Sequence, residues 1–114
     1  MRWLKESKYH NKWVIIDGIK FQSEKEGKRW QELKLMERAG KIKGLARQLR
    51  IEIVPKTKLY RAVTYIPDFV YFDNSIGKTV YEDVKGMRSG AAYELFKVKQ
   101  KILYWRYGIE VKEV

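Results

Sequence analysis

The stretch that decides the fold runs Tyr65-Ile66-Pro67-Asp68-Phe69-Val70-Tyr71-Phe72. After the turn Asn74-Ser75-Ile76-Gly77 it is followed by Val80-Tyr81-Glu82-Asp83-Val84-Lys85-Gly86. Both segments are rich in the β-branched and aromatic residues that fit a pleated surface. The first belongs to a β-type run over 60–73 that is apolar on both faces, the pattern of a central strand. Yet each segment carries charge. An ionised Asp inside so apolar a strand is costly to desolvate without a partner. Pro67 withholds a backbone donor just before it, which predicts a bend or bulge there. In the second segment, strand alternation sets Asp83 and Lys85 on one face and Val84 on the other. If the two strands are neighbours, Asp68 and Asp83 converge on one point.

Two close carboxylates repel each other unless a cation lies between them. Their oxygens suit hard Mg²⁺ or Mn²⁺ rather than zinc. A lysine two residues on, on the same face, orients water and balances charge at a phosphate, so the set is equipped for metal-assisted phosphodiester hydrolysis. Singly, these residues have plainer readings: Asp83 and Lys85 as a solvated strand pair, Asp68 as the cap of a bulge. The combination favours a site. Glu26 also reads two ways. Ser23-x-x-Glu26 is a capping box at a helix start, yet Glu26 shares a helical face with Trp30 and Leu33, the stripe expected to dock on the sheet.

Working outward, Trp13–Phe21 reads as a hairpin turning on Asp17-Gly18. A helix follows to about Ala39, with Gly40 as its stop. Strands are expected over 48–54, 60–73 and 79–85, then a loop Gly86–Gly90 carrying Arg88. A helix over 91–107 and an alternating strand over 109–114 end the chain. The expected fold is α/β: a short mixed sheet flanked by helices, with an N-terminal β-hairpin.

The 114 residues fit one domain, 1–114, with 1–11 expected as a basic arm. The absence of cysteine rules out disulfides, thiol nucleophiles and cysteine-held zinc, and fits an intracellular protein. With His10 the single histidine, a Ser-His-Asp triad is an unpromising reading. The first residues are too charged for a signal peptide, and no apolar run approaches a membrane span. Lys and Arg total 25 against 14 acids, a formal charge of +11, spread from Arg2 to Lys112. Such an excess points to a polyanionic partner.

Asp-Gly-Ile-Lys-Phe-x-Ser-x-x-Glu opening a helix, then Tyr-Ile-Pro-Asp-Phe, then Tyr-Glu-Asp-Val-Lys-Gly, resembles a family of small phage and prophage proteins. That family was long carried as a domain of unknown function and is placed among the PD-(D/E)xK nucleases, relatives of Holliday-junction resolvases and restriction endonucleases. The resemblance runs from Lys8-Tyr9 to the end of the chain. It implies a restriction-endonuclease-like core and a Mg²⁺-dependent endodeoxyribonuclease, with Mn²⁺ able to substitute. Branched DNA, first of all a four-way junction, would be its substrate. A phage- or prophage-encoded enzyme would work in the cytoplasm of the bacterial host. Asp68 and Asp83 would be metal ligands, the Val84 carbonyl often a third, Lys85 the motif lysine, and Glu26 the helix glutamate of the metal shell. Glu82 is a rival acid without the x-Lys spacing. Gln100 and Tyr104 match a Gln-x-x-x-Tyr motif of some members; with Ser23 and Gln48 they are expected as supporting polar groups. The alternatives are a nicking endonuclease for repair or DNA packaging, and a non-catalytic basic DNA-binding protein on a nuclease-like scaffold.

Lys8, His10, Lys12, Arg47, Arg50, Arg61 and Arg88 are candidates for phosphate contacts, with a solvated basic surface as the plainer reading. On the last helix Leu95, Val98, Ile102 and Trp105 form one apolar stripe, expected to be core. Tyr93, Phe96, Gln100, Tyr104 and Tyr107 lie opposite. Because resolvases of the superfamily usually work as dimers, this aromatic face is the expected homodimer surface, with DNA stacking or packing under the N-terminal arm as alternatives.

Overall fold

A computed structural model describes residues 12–114. The hairpin forms where Asp17 and Gly18 take left-handed dihedrals (φ 54° and 75°), joining β1 (Val14–Ile16) to β2 (Ile19–Phe21). Such dihedrals match the right-handed twist of the flanking strands. Helix α1 (Glu24–Arg38) starts at Ser23, whose Oγ accepts the Glu26 N–H at 3.2 Å, and ends at Ala39 before Gly40.

Five strands separate the two helices, where three were expected. Strand β3 (Ile42–Arg47) was not anticipated. Gly44 stands at its centre with φ 68°, and the pairing register shifts between Lys43 and Ala46. That bulge breaks the alternation by which a strand is recognised. The expected strand over 48–54 is β4 (Ile51–Val54), and the run over 60–73 is two strands, β5 (Val63–Tyr65) and β6 (Phe69–Asp73). The chain leaves one sheet for another across Ile66-Pro67-Asp68, because Pro67 cannot continue a ladder. Strand β7 (Lys78–Asp83), helix α2 (Ala91–Tyr107) and strand β8 (Val111–Glu113) complete the chain.

The main sheet has the order β3-β6-β7-β8, antiparallel except for the parallel β7-β8 pair, and β4-β5 forms a separate hairpin. This is a mixed α/β fold, a short mixed sheet with two helices and an N-terminal hairpin, and it agrees with the expected restriction-endonuclease-like core. Helix α1 and the first hairpin close one core around Phe21, Trp30, Leu33, Ile42, Phe69 and Tyr71. Helix α2 closes a second around Ile53, Tyr65, Phe96, Leu103 and Val111. Fully burying a side chain of this size contributes roughly 1.5–3 kcal/mol.

The faces of α2 depart from the expectation: of the expected core stripe, Ile102 alone packs against the core. Phe96 is buried, Tyr93 is half-buried, and Leu95, Val98 and Trp105 are exposed. Both stripes of this helix are apolar, so periodicity identifies two faces without saying which meets the sheet. Phe96 is inward because Tyr65 receives it, ring centroids 6.1 Å apart. Of the four aromatics of the expected homodimer surface, Phe96 is therefore taken up by the core, Tyr93 is half-buried, and Tyr104 and Tyr107 are exposed.

Candidate active site

The β6-β7 register pairs Phe69 with Glu82, which brings Asp68 and Asp83 side by side where β6 begins and β7 ends. Asp68 lies on the Ile66–Asp68 connection, and its Oδ2 accepts the Val84 N–H at 2.7 Å. Asp83 is buried; Tyr65 donates its hydroxyl to Oδ2, and Lys85 Nζ is 3.0 Å from Oδ1. Alternation beyond Asp83 holds as expected: Val84 packs toward the α1 core, while Lys85 turns to the other face and sets its Nζ 3.7 Å from the centroid of the Phe96 ring. An ammonium held over an aromatic face and beside a carboxylate is fixed in position.

Glu26 serves both of its readings. Its Oε1 accepts the Gln22 N–H at 3.3 Å, one residue further back than the usual capping box. The same carboxylate is buried on the α1 face that meets the sheet. Its charge reaches Asp68, whose carboxyl is pushed up to about 7. Burial is the largest cause, followed by the Asp83 charge; Glu26 adds to the rise, while the Val84 N–H and Lys85 oppose it. Lys25 of the same helix turn donates its Nζ to the Lys85 carbonyl at 2.7 Å, tying α1 to the end of β7.

The rival acid Glu82 faces α1. It is fully buried and held by Arg29, Nε to Oε1 at 2.8 Å and Nη2 to Oε2 at 2.6 Å, and by the Tyr71 hydroxyl. Burial works to raise its carboxyl, but those hydrogen bonds outweigh it and hold the group ionised below its ordinary range. Glu82 is thus a structural anchor, consumed by partners on the face away from Asp83.

Among the described residues, no three His, Cys, Asp or Glu side chains stand as a ready-made metal shell. Asp68 and Asp83 are turned to the Val84 N–H, Tyr65 and Lys85. The donor chemistry nevertheless fits a hard divalent cation. Oxygen donors gather here, and the Asp83 and Glu26 charges raise the cost of ionising Asp68, which a bound cation would relieve.

The supporting residues divide. Ser23 caps α1. Gln48 is exposed with φ 56°, Gln100 donates to the Val111 carbonyl at 3.1 Å, and Tyr104 is exposed. None of these three hydrogen-bonds to the acids, so the Gln-x-x-x-Tyr pair does not back them. Lys12, Arg50, Arg61 and Arg88 are exposed, Arg50 bonding Thr64 and Arg88 bonding Glu113. Arg47 is half-buried, its guanidinium 4.8 Å from the Phe21 ring centroid. Lys8 and His10 lie outside the described residues.

Tyr65, Phe96 and Arg29 were not foreseen. The available hints were an aromatic three residues before Asp68 and an arginine one turn after Glu26. No helix among the described residues is long and apolar enough to cross a membrane. No curated protein and no solved structure matches the chain. A family model does match it, over residues 6–113, and the chain belongs to that family, described as "Protein of unknown function (DUF1064)".

Proposed function

We propose that this protein is a metal-dependent endodeoxyribonuclease that hydrolyses phosphodiester bonds in branched DNA, with a four-way junction as first substrate. The observation that carries the reading is the convergence of Asp68 and Asp83 beside Lys85 at one end of the sheet, within reach of the Glu26 charge. The +11 charge supports a polyanionic substrate.

Asp68 and Asp83 would hold Mg²⁺ or Mn²⁺, with the Val84 carbonyl and Glu26 completing the shell. Bound there, the ion would supply Lewis acidity at a phosphoryl oxygen and lower the pKa of water. The chain's own residues do the rest. Lys85, braced by Asp83 and Phe96, directs its ammonium to the attacking water and the non-bridging oxygens. Tyr65 fixes the Asp83 rotamer, and Glu82-Arg29 holds the helix that presents Glu26. Such fixed groups cost little reorganisation as charge builds at the phosphate. A phage- or prophage-encoded enzyme in the bacterial cytoplasm belongs to the same reading.

The homodimer also stays within it, on a different surface. The exposed stripe Ala91, Leu95, Val98, Trp105 is flanked by Glu94 and Lys101, seven residues apart on one side. Antiparallel packing of α2 on a second copy about Val98 sets Glu94 against Lys101 of the other copy and small Ala91 against large Trp105.

The test is cleavage of four-way junction, flap, nicked, single-stranded and linear DNA with Mg²⁺ or Mn²⁺, wild type beside Asp83→Ala. Cleavage led by the junction and absent in the variant supports the proposal. Preference for a nicked or linear duplex favours the repair or packaging nuclease. Inactivity on every form, with DNA binding intact, leaves a non-catalytic DNA-binding protein.

A further inference from the structure

The turn between β4 and β5, residues 55–62, carries two of the most exposed apolar side chains of the described residues, Leu59 at 82% and Tyr60 at 74%. They do not sit on a loose loop. The Thr57 N–H donates to the Tyr60 carbonyl at 2.9 Å, and the Tyr60 N–H donates to Thr57 Oγ1 at 3.0 Å, so the tip is closed on itself. The hairpin beneath it is anchored by buried Ile53 and Tyr65. Helix α2 grips its backbone from outside: Lys99 Nζ donates to the Thr64 carbonyl at 3.1 Å, the Tyr107 hydroxyl to the Glu52 carbonyl at 2.6 Å, and Arg106 to the Ile53 carbonyl. A rigid support that presents apolar side chains to water marks a binding surface.

The surrounding charge identifies the partner. Lys56, Lys58 and Arg61 flank the tip, and no acid occurs between Glu52 and Asp68. Arg50 and Lys99 continue the basic track down the hairpin at Thr64. The next residue, Tyr65, touches Asp83. Tyr65 lies five positions after Tyr60, a reach of at most about 17 Å, or roughly five nucleotide steps along one strand. A row of cations leading from an apolar tip to a carboxylate cluster fits a linear polyanion better than a flat lipid surface.

We infer that Leu59 and Tyr60 form a wedge that stacks on unpaired or unstacked bases of a DNA branch point, while Lys56, Lys58 and Arg61 hold the adjacent phosphates. Apolar side chains that enter a base step must unstack it, and the cost is least where pairing is already interrupted. The wedge therefore selects branched over continuous duplex. This rests on the nuclease reading for the route of the DNA, but its binding test does not depend on cleavage.

The experiment measures binding in EDTA of wild type, Leu59→Ala/Tyr60→Ala and Tyr60→Phe to a synthetic four-way junction and to a continuous duplex of the same composition. A 2-aminopurine at the branch reports unstacking, and thermal melting verifies folding of each variant. The double variant is expected to bind the junction about tenfold or more weakly, with duplex affinity changed less than about twofold. It should also lose the 2-aminopurine fluorescence rise, while Tyr60→Phe keeps both. Equal loss on both DNAs, or no loss, overturns the wedge. So does retained junction binding with lost binding to phosphatidylserine vesicles, which would make the tip a lipid contact. A wild type that never cuts but shows this junction selectivity sinks the nuclease reading and leaves the wedge standing. A cutting enzyme indifferent to the double variant does the reverse.

Discussion

Arg29 on α1 grips Glu82 on β7 through both carboxylate oxygens, at 2.8 and 2.6 Å, with the acid completely shielded from solvent. One turn before Arg29 stands Glu26; one residue after Glu82 stands Asp83. The clamp therefore sets the distance between the helix and strand halves of the carboxylate cluster, although neither of its members belongs to that cluster.

Removing one member leaves the other buried and unpaired. Arg29→Met is expected to destabilise the fold by about 3–5 kcal/mol. Arg29→Met/Glu82→Leu should recover most of that loss, since an apolar pair of similar volume removes the desolvation cost. Urea melts of the three proteins check this. A single variant as stable as wild type would mean that the clamp contributes nothing.

At the cluster itself, Asp68→Ala and Asp83→Ala should abolish cleavage and leave DNA binding unchanged or tighter, because each removes a negative charge facing a polyanion. Tyr65→Phe retains the ring that packs on Phe96 and loses only the hydrogen bond to Asp83. A hydrogen bond to a charged group is worth about 1.5–3 kcal/mol, so Tyr65→Phe should lower the melting temperature by several degrees, and at a temperature where the variant is folded its single-turnover rate should fall roughly tenfold or more. A Tyr65→Phe enzyme at full rate would remove Tyr65 from the site.

What could be read in advance depended on how local the cause was. Asp17-Gly18, Ser23 with Glu26, and Gly40 each act on their own few residues, so the hairpin and α1 were legible. Asp68, Asp83 and Lys85 were legible because charge in an apolar strand is anomalous wherever the strand sits. Strand β3 was hidden because Gly44 interrupts its alternation. The inward face of α2 depends on Tyr65, some 30 residues away, and nothing within the helix itself distinguishes Phe96 from Leu95. The partners Arg29 and Tyr65 acquire meaning only when the chain is folded.

Gly27 shows how closely the hairpin sits on α1. A Cβ there would stand 2.8 Å from Ile16 Cδ1 and 2.8 Å from Val14 Cγ2. Ala is favoured over Gly in a helix by about 1 kcal/mol, but overpacking costs about 1–3 kcal/mol, and β-branched Val14 has little freedom to turn aside. Gly27→Ala is therefore expected to lower stability by about 1 kcal/mol, by denaturant titration. A stabilised variant would show that the hairpin lifts freely from the helix.

Asp68 supplies a pH signature. Its folded carboxyl titrates at about 7, above the ordinary value near 3.9. Because the folded state binds the proton more tightly, the stability linked to this group is fully present below the unfolded value and is lost as pH rises through 7. In EDTA, Asp68→Asn should melt above wild type, and the gap should widen by several degrees between pH 5 and pH 8. Mg²⁺ should raise the wild-type melting temperature at pH 8 more than that of the variant, since the cation relieves the same repulsion. A gap independent of pH and of Mg²⁺ would remove the argument for a cation between these acids.

The outer stripe of α2 sets the last expectation. Trp105 is 82% exposed and Leu95 55%, on the face that the intramolecular core leaves uncovered. If two copies pack there, a charge placed at either position is buried in the interface without a partner, which is costly. Trp105→Glu and Leu95→Glu should each convert a dimer to a monomer in sedimentation equilibrium, with unchanged thermal folding of the single chain. Lys101→Glu should weaken the dimer, and Glu94→Lys/Lys101→Glu should restore it, because the swapped charges again oppose across the two-fold axis. A wild type that sediments as a monomer at micromolar concentration would end the dimer proposal, and the double charge swap would then change nothing.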